Sequence, residues 1–258
     1  MHLFAVPNLP EFRPGEDIAD AIEAEAEIRD DDVVCVASTI VSKVEDRRIR
    51  LEDIEPSERA ESIAARLESI HGEPVDARFV AVVLQESEDV LMEAPFMLTV
   101  TNFGHVGVNA GIDRSNTGEA DVLLLPTAPS ESARRIRAGF EADPAVIVTD
   151  TSGRPFRTAQ RGVAIGWDGI SATRDWRGER DRDDHELEVT VEAVVDELAA
   201  AANLVTGEGD DGLPVAVVRD FEFGDHGSTD DLFRSADSDY VRAALREWEY
   251  EESASDPR

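Results

Sequence analysis

The sequence predicts an α+β protein: mixed or antiparallel sheets with helices packed on them. Three observations carry that reading. Short apolar runs such as "DVVCVAST" at 32–39 and "AVIVTD" at 145–150 have the unbroken hydrophobic character of strands covered on both faces. Other segments place apolar residues at the three-four spacing of a helix. The two kinds of segment do not alternate regularly, which argues against a doubly wound parallel sheet.

In order along the chain, "LFAVP" at 3–7 is the first expected strand. A turn and a helix follow in "EFRPGEDIADAIEAEAE", with Ile18, Ala21 and Ile22 on one face and Ala26 as its candidate extension. "DVVCVAST" is a buried strand that delivers Ser38, Thr39, Ser42 and Lys43 just past its end. "SERAESIAARLESI" at 57–70 is a helix through Ala60, Ile63, Ala64, Leu67 and Ile70. "DARFVAVVLQESEDVL" at 76–91 reads as another, with its valines leaving a strand open. Strands are expected at "FMLTVTNF", "HVGVN", "DVLLLP", "AVIVTD" and "GVAIGW", with a helix at "SESARRIRAGFE" before "AVIVTD". The clearest helix spans 187–205, through Leu187, Val191, Val194, Val195, Leu198, Ala202 and Val205, and Gly207 suits its C-terminal cap. "PVAVVR" at 214–219 is the last strand, and residues 247–258 form an acidic tail expected to fray. No repeat and no long linker divides the chain, so residues 1–246 are read as one unit, with two intertwined subdomains as the alternative.

Composition narrows the function. The chain has 57 Asp and Glu against 25 Lys and Arg, a formal net charge of −32. Such an excess repels a phosphate backbone, and no basic stripe offsets it, so nucleic acid is excluded as a partner. Hydrophobic residues make up 41% of the chain and fall in periodic runs, which excludes an acidic disordered protein. The acids are spread over the whole length while lysine is nearly absent, a pattern suited to a salt-rich cytoplasm, where the Debye length is about 3 Å at about 1 M. Dialysis into dilute buffer is therefore expected to unfold the protein. An unchanged far-UV spectrum and melting temperature would refute that reading. Cys35, the single cysteine, lies inside an apolar run and is expected to be a buried, inert thiol. The first residues lack a signal peptide's basic leader, and no run approaches the ~20 apolar residues of a membrane span, so the expectation is a cytoplasmic protein with no membrane partner.

Three stretches place acids where surface solvation does not call for them. "VGVNAGIDRSN" presents Asp113 and Asn116 after a strand; "AVIVTDTSGRPFR" delivers Asp150 and Thr151 before Arg154 and Arg157; "NLVTGEGDDGLP" ends a helix in a Gly-rich loop carrying Glu208, Asp210 and Asp211. Carboxylates held rigidly at strand ends suit a hard divalent cation, which takes one or two of them and fills its shell with waters and phosphate oxygens. Each acid has a plainer explanation as a turn cap or a solvated surface group. No His-Cys cluster suggests zinc, and His105 and His185 read as structural. P-loop, Rossmann and GxSxG patterns are absent. Lys43 is the chain's only lysine. Its compact ammonium offers a point charge to a polyphosphate where arginine's wider fork would differ in shape, and chance survival competes with that explanation.

Taken in order, "LPEFRPGEDIA", "STIVSKVEDR", "EPSERAESIAARL", "VLQESEDVL", "FGHVGVNAGIDRSN", "VIVTDTSGRPFR", "VAIGWDGI", "HELEVTVEAVVDELAAAANLVTGEGDDGLPVAVVR" and "RSADSDYVR" resemble the coenzyme F420-0:L-glutamate ligase (gamma-glutamyl ligase) family of archaea, nearly to Arg246. The resemblance implies a GTP-dependent ligase that adds L-glutamate, then further γ-linked glutamates, to F420-0, releasing GDP and phosphate. It implies two divalent ions, Mg²⁺ or Mn²⁺, with K⁺, and an intertwined homodimer. Carried over by motif, Asp113 and Asp150 would hold one divalent ion, and Thr151 and Glu208 would serve the second. GTP would lie among Leu9, Pro10, Glu11, Phe12, Ser38, Thr39, Lys43, Asn116 and the loop of Thr206, Gly207, Glu208, Gly209, Asp210, Asp211, Gly212 and Leu213. Lys43 would be the catalytic cation. Arg154 and Arg157 are expected to hold a substrate carboxylate or phosphate by bidentate bonds. The chain departs from the family at Asn8, where glycine is usual, and at Thr158–Arg161, so Arg161 has no assigned role. Two other readings stand beside this one: a related metal-dependent ligase or phosphotransferase for another carboxylate, and a non-catalytic cation-binding module.

Overall fold

The structure is a computed structural model and describes residues 1–250. The elements are, in chain order, β1 (His2–Ala5), α1 (Ile18–Glu23), β2 (Val33–Ala37), α2 (Ser38–Val44), β3 (Arg48–Ile49), α3 (Glu58–His71), α4 (Ala77–Gln85), β4 (Ser87–Met92), β5 (Leu98–Thr101) and β6 (Val106–Val108). They continue with β7 (Val122–Leu123), α5 (Pro129–Gly139), β8 (Ala145–Arg154), β9 (Arg157–Asp168), β10 (Arg174–Asp175), β11 (Val191–Glu192), α6 (Val194–Thr206), β12 (Val215–Arg219) and α7 (Tyr240–Arg246). The α+β class holds. The chain divides into two compact units, one of residues 1–47 and 125–232, the other of 48–124 and 233–258. Residues 251–258 of the acidic tail lie outside the described residues.

The first unit is built on a mixed five-stranded sheet in the order β1-β12-β2-β8-β9, in which only β2 and β8 run parallel. Its inner strands are apolar on both faces because both are covered. Val33, Cys35, Ala145, Ile147, Ala216 and Val218 pack with Val194, Val195, Leu198, Ala199 and Ala202 of α6. The alternate residues Val34, Val36, Val146, Val148, Val215 and Val217 are buried as well. Burial pushes the Cys35 thiol up to about 12, which leaves it protonated and inert.

Two glycines on β9 set how closely helices approach this sheet. A Cβ on Gly162 would lie 2.4 Å from the Ala199 carbonyl oxygen of α6, and one on Gly166 would lie 2.3 Å from the Pro129 carbonyl carbon of α5. Residues four apart on a regular strand share a face, yet these two meet different helices. A register shift accounts for it: Val148 pairs with Gly166, but Thr149 pairs with Ala164, so β9 carries an extra residue and its alternation reverses there.

The second unit has a core of Leu51, Ala60, Ile63, Ala64, Leu67, Phe79, Val80, Met97, Val122 and Leu124, with Tyr250 packed against it. Its strands form the antiparallel sheet β4-β5-β6 and the short pair β3-β7. His105 is buried between rings, stacked on Phe103 at 6.5 Å and meeting Phe233 edge-on at 6.1 Å. Burial lowers its pKa from 6.5 to about 4. The folded state therefore binds fewer protons than the unfolded chain between those values. The stabilisation is complete above the unfolded pKa and is lost as pH falls toward about 4, at most about 3 kcal/mol for this group. His105→Phe is expected to flatten the fall of urea midpoints across that window in concentrated salt. A slope equal to the wild type's would contradict the assignment.

The helix expected over 187–205 begins only at Val194. Residues 191–192 instead form β11, paired with β10, so Leu187 and Val191 are not on the helix. The cause is a tertiary ion pair. Arg174 grips Glu192 through two bonds of 2.9 Å and lies over the rings of Trp176, Phe221 and Phe223, and the Trp176 indole donates to the same carboxylate at 2.9 Å. The Arg174 guanidinium, followed by the indole, holds Glu192 at about 2. "LEVTVE" also alternates at period two, the strand signal that the helical spacing obscured. The helix read over 76–91 is likewise divided: α4 stops at Gln85, and Ser87–Met92 is β4, paired with β5. "DVLLLP" is strand only at Val122–Leu123.

Candidate functional site

In the first unit the parallel pair β2 and β8 brings two of the expected site residues together. Ala37 pairs with Thr149, so the next residues, Ser38 and Asp150, emerge side by side. The Ser38 hydroxyl donates to the Asp150 carboxylate at 3.4 Å. β2 runs straight into α2, with Ala37 still extended at its N-cap. Ile40 and Val41 bury the helix, and Lys43 is carried inward with a side chain only 8% exposed. Its ammonium donates to Glu11 at 2.5 Å. Glu11 lies in the segment after β1, next to Phe12, which is fully buried. Asn8 has φ of 57°, a left-handed conformation that glycine adopts freely and asparagine tolerates better than most residues. The departure from glycine at Asn8 is thus accommodated by the backbone.

A second cluster forms where β8, β9 and α6 meet. Thr151 pairs across the hairpin with Gly162. Because Gly162 has no side chain, α6 settles onto β9 and Asn203 sits over that position. The helix ends at Thr206, and Gly207 turns the chain with φ of 70°. Glu208 folds back so that one carboxylate oxygen, Oε1, accepts from the Thr151 hydroxyl at 2.9 Å and from the Asn203 amide at 2.7 Å. The rest of the Gly-rich loop, Gly209 to Gly212, is exposed.

At the hairpin's tip, Arg154 and Arg157 face each other as register partners around Pro155 and Phe156, and Arg154 donates to the Ala159 carbonyl at 3.3 Å. Arg161, left without a role by the sequence, meets Asp196 at 3.5 Å. Asp196 also accepts from the Ala164 amide at 2.9 Å, so this carboxylate ties the first turn of α6 to β9.

In the second unit, "VNAGID" is a left-handed turn. Asn109, Ala110 and Gly111 have φ of 53°, 55° and 67° in succession. Two of them are not glycine, a conformation that costs on the order of 1–3 kcal/mol each and gathers at functional sites. The Ala110 amide is held by the Thr99 hydroxyl at 3.1 Å. Asp113 follows, its Oδ1 accepting from the amide and hydroxyl of Ser115, both at 2.7 Å, and Asn116 continues the turn with φ of 53°.

The oxygen donors of Thr151 and Glu208, which meet at 2.9 Å, fit a hard divalent cation that draws few ligands from protein and the rest from water and phosphate. Among the described residues, no three His, Cys, Asp or Glu side chains form a ready-made cage. Asn203 and Asp196 were missed by sequence reasoning. The available signal was polarity: both are among the few polar residues of a mostly apolar helix, and Asn203 lies four residues before the Gly207 cap.

Comparison with known proteins places the chain among ligases. The family model described as F420-0:gamma-glutamyl ligase matches residues 8–220, and the chain belongs to that family. A Halobacterium salinarum protein named coenzyme F420:L-glutamate ligase is 62% identical over 251 residues, 97% of this chain and 99% of its own. Proteins of the same name from Haloarcula marismortui and Archaeoglobus fulgidus are 61% and 46% identical, each covering at least 95% of this chain. No helix among the described residues is long and apolar enough to cross a membrane.

Proposed function

We propose that this ligase joins L-glutamate to coenzyme F420-0 at the expense of GTP, forming GDP and phosphate, and then extends the product with γ-linked glutamates. The observation that best supports it is the grouping of Lys43–Glu11, Ser38–Asp150 and Thr151–Glu208 within the first unit, on segments of the family match. A carboxylate is a poor electrophile. Transfer of the γ-phosphoryl group from GTP to a carboxylate oxygen of the acceptor breaks the β-γ bridge and yields an acyl phosphate. The glutamate amine attacks its carbonyl carbon, phosphate leaves, and the amine gives up a proton. Such transfers depend on positioning and charge neutralisation more than on a protein nucleophile, so no Ser-His or Cys-His pair is required.

In this reading Leu9–Phe12, Ser38, Thr39, Lys43 and the loop 206–213 hold GTP. Thr151 and Glu208 hold one divalent cation, Mg²⁺ or Mn²⁺, and Asp150 serves another, with K⁺ assisting. When bound, the ions neutralise phosphate charge. Lys43 exchanges Glu11 for a phosphate oxygen. The working form is a homodimer, and its setting is a salt-rich cytoplasm, a setting that the acidic composition and the halophilic relatives support. The decisive experiment supplies GTP, L-glutamate, F420-0 and Mn²⁺ in concentrated salt and weighs the product. Folded protein that adds no glutamate mass would sink the proposal.

Arg154 and Arg157 take a substrate carboxylate or phosphate. Like charges directly opposite in a hairpin are destabilising, a cost that a bound anion relieves. Arg157→Ala is expected to raise the KM of glutamate or of F420-0 by about tenfold, the worth of one charge-assisted bond. Unchanged KM for both would remove Arg157 from the site.

A further inference from the structure

We infer that Asn203 is a positioning residue that sets which oxygen of Glu208 faces a divalent cation. The inference rests on the reading of Glu208 as a cation ligand and adds a residue to it. A carboxylate at the start of a Gly-rich loop is free to rotate about its terminal bond, and rotation would exchange the two oxygens. Here two donors converge on one of them. The Thr151 hydroxyl reaches Oε1 at 2.9 Å and the Asn203 amide reaches the same atom at 2.7 Å. Neither of these bonds engages Oε2, the oxygen the arrangement presents for coordination.

The two donors differ in kind. Thr151 is a candidate ligand, so its hydroxyl cannot be relied on to hold Glu208 once an ion binds to it. Asn203 stands on α6, one turn before the helix ends, and its own carbonyl accepts from the Gly207 amide at 3.0 Å. It is thus tied to the turn that launches Glu208. Its place over β9 depends on Gly162, where a Cβ would lie 3.0 Å from the Asn203 Cβ. An amide is also the right chemistry: it donates to a carboxylate without adding charge and does not titrate. A carboxylate in its place would repel Glu208, and a cation would compete with the metal.

Outer hydrogen bonds to metal ligands typically cost 10–100-fold in metal affinity when removed. The test is a cycle of Asn203→Leu, Glu208→Gln and the double variant, with Mn²⁺ affinity read from the free-ion electron paramagnetic resonance signal and folding from the melting temperature, all in concentrated salt. Asn203→Leu is expected to weaken Mn²⁺ binding by about tenfold in the native background and by less than about twofold when Glu208 is already Gln. Asn203→Ala, which leaves a good helix former, serves if the leucine variant does not fold. An equal loss in both backgrounds, or no loss in the native one while Glu208→Gln weakens binding, overturns the role of Asn203. Glu208→Gln without effect overturns the ligand reading itself, and Asn203's role with it.

Discussion

Lys43→Arg is expected to lower GTP turnover at least about a hundredfold, the scale on which a lost preorganised donor to developing charge is felt. The substitution keeps the charge, so shape is what changes. Lys43 is delivered by α2 into a nearly enclosed position, with its ammonium 2.5 Å from Glu11. A guanidinium is wider, planar and already suited to a carboxylate fork, so it would grip Glu11 bidentately and yield less readily to a phosphate. In a chain whose other cations are all arginines, arginine at 43 would be the compositional default. Glu11→Gln is the companion measurement. If Lys43 exists only to pair with Glu11, Lys43→Arg keeps the pair and should be the milder change. If it serves phosphate, Glu11→Gln should be the milder change. Near-native turnover in folded Lys43→Arg would return the lone lysine to accident.

The second large effect is expected at Gly162. In Gly162→Ala the new methyl would stand 2.4 Å from the Ala199 oxygen and 2.9 Å from its carbonyl carbon. Those are backbone atoms, so no rotamer change relieves the clash, and α6 has to lift from β9. Overpacking of this kind costs about 1–3 kcal/mol, and valine should exceed alanine. Lifting α6 also carries Asn203 away from Thr151 and Glu208, so Mn²⁺ affinity should fall along with stability. Gly166→Ala is the matched control. Its methyl would meet Pro129 and Ser130 at 2.3 and 2.4 Å, a clash of the same size against α5 instead. Both variants should melt earlier, and only Gly162→Ala should lose metal affinity. Equal losses of affinity would mean that the cluster responds to general loosening rather than to the seat of α6.

Much of this was legible in the residues. The apolar runs of "DVVCVAST", "AVIVTD" and "PVAVVR" became strands because a strand covered on both faces is apolar throughout, but β2 stops at Ala37 where α2 begins, and β8 runs on to Arg154, so Asp150 and Thr151 lie within the strand and not at its end. Ala60, Ile63, Ala64 and Leu67 became the buried stripe of α3 for an equally local reason. Helix spacing misled at Leu187 and Val191, where Glu192 is claimed by Arg174 from another segment. It misled again at Ser87–Met92, where β5 supplies the backbone partners. In both cases a contact distant in sequence outweighed a local preference.

From composition and motif order alone followed the acidic character, the α+β class, the buried cysteine and the family likeness. Each of these is either a sum over residues or a pattern read within a few turns of chain. Left to the folded chain were the reversal of facing along β9, the seating of α6 on Gly162, the pairing of Lys43 with Glu11, and the convergence of Thr151 and Asn203 on a single oxygen of Glu208. These depend on strand register and on how near a helix lies to a sheet. Local periodicity reports which face of an element is buried. It carries no information about which distant residue will meet that face, or at what distance.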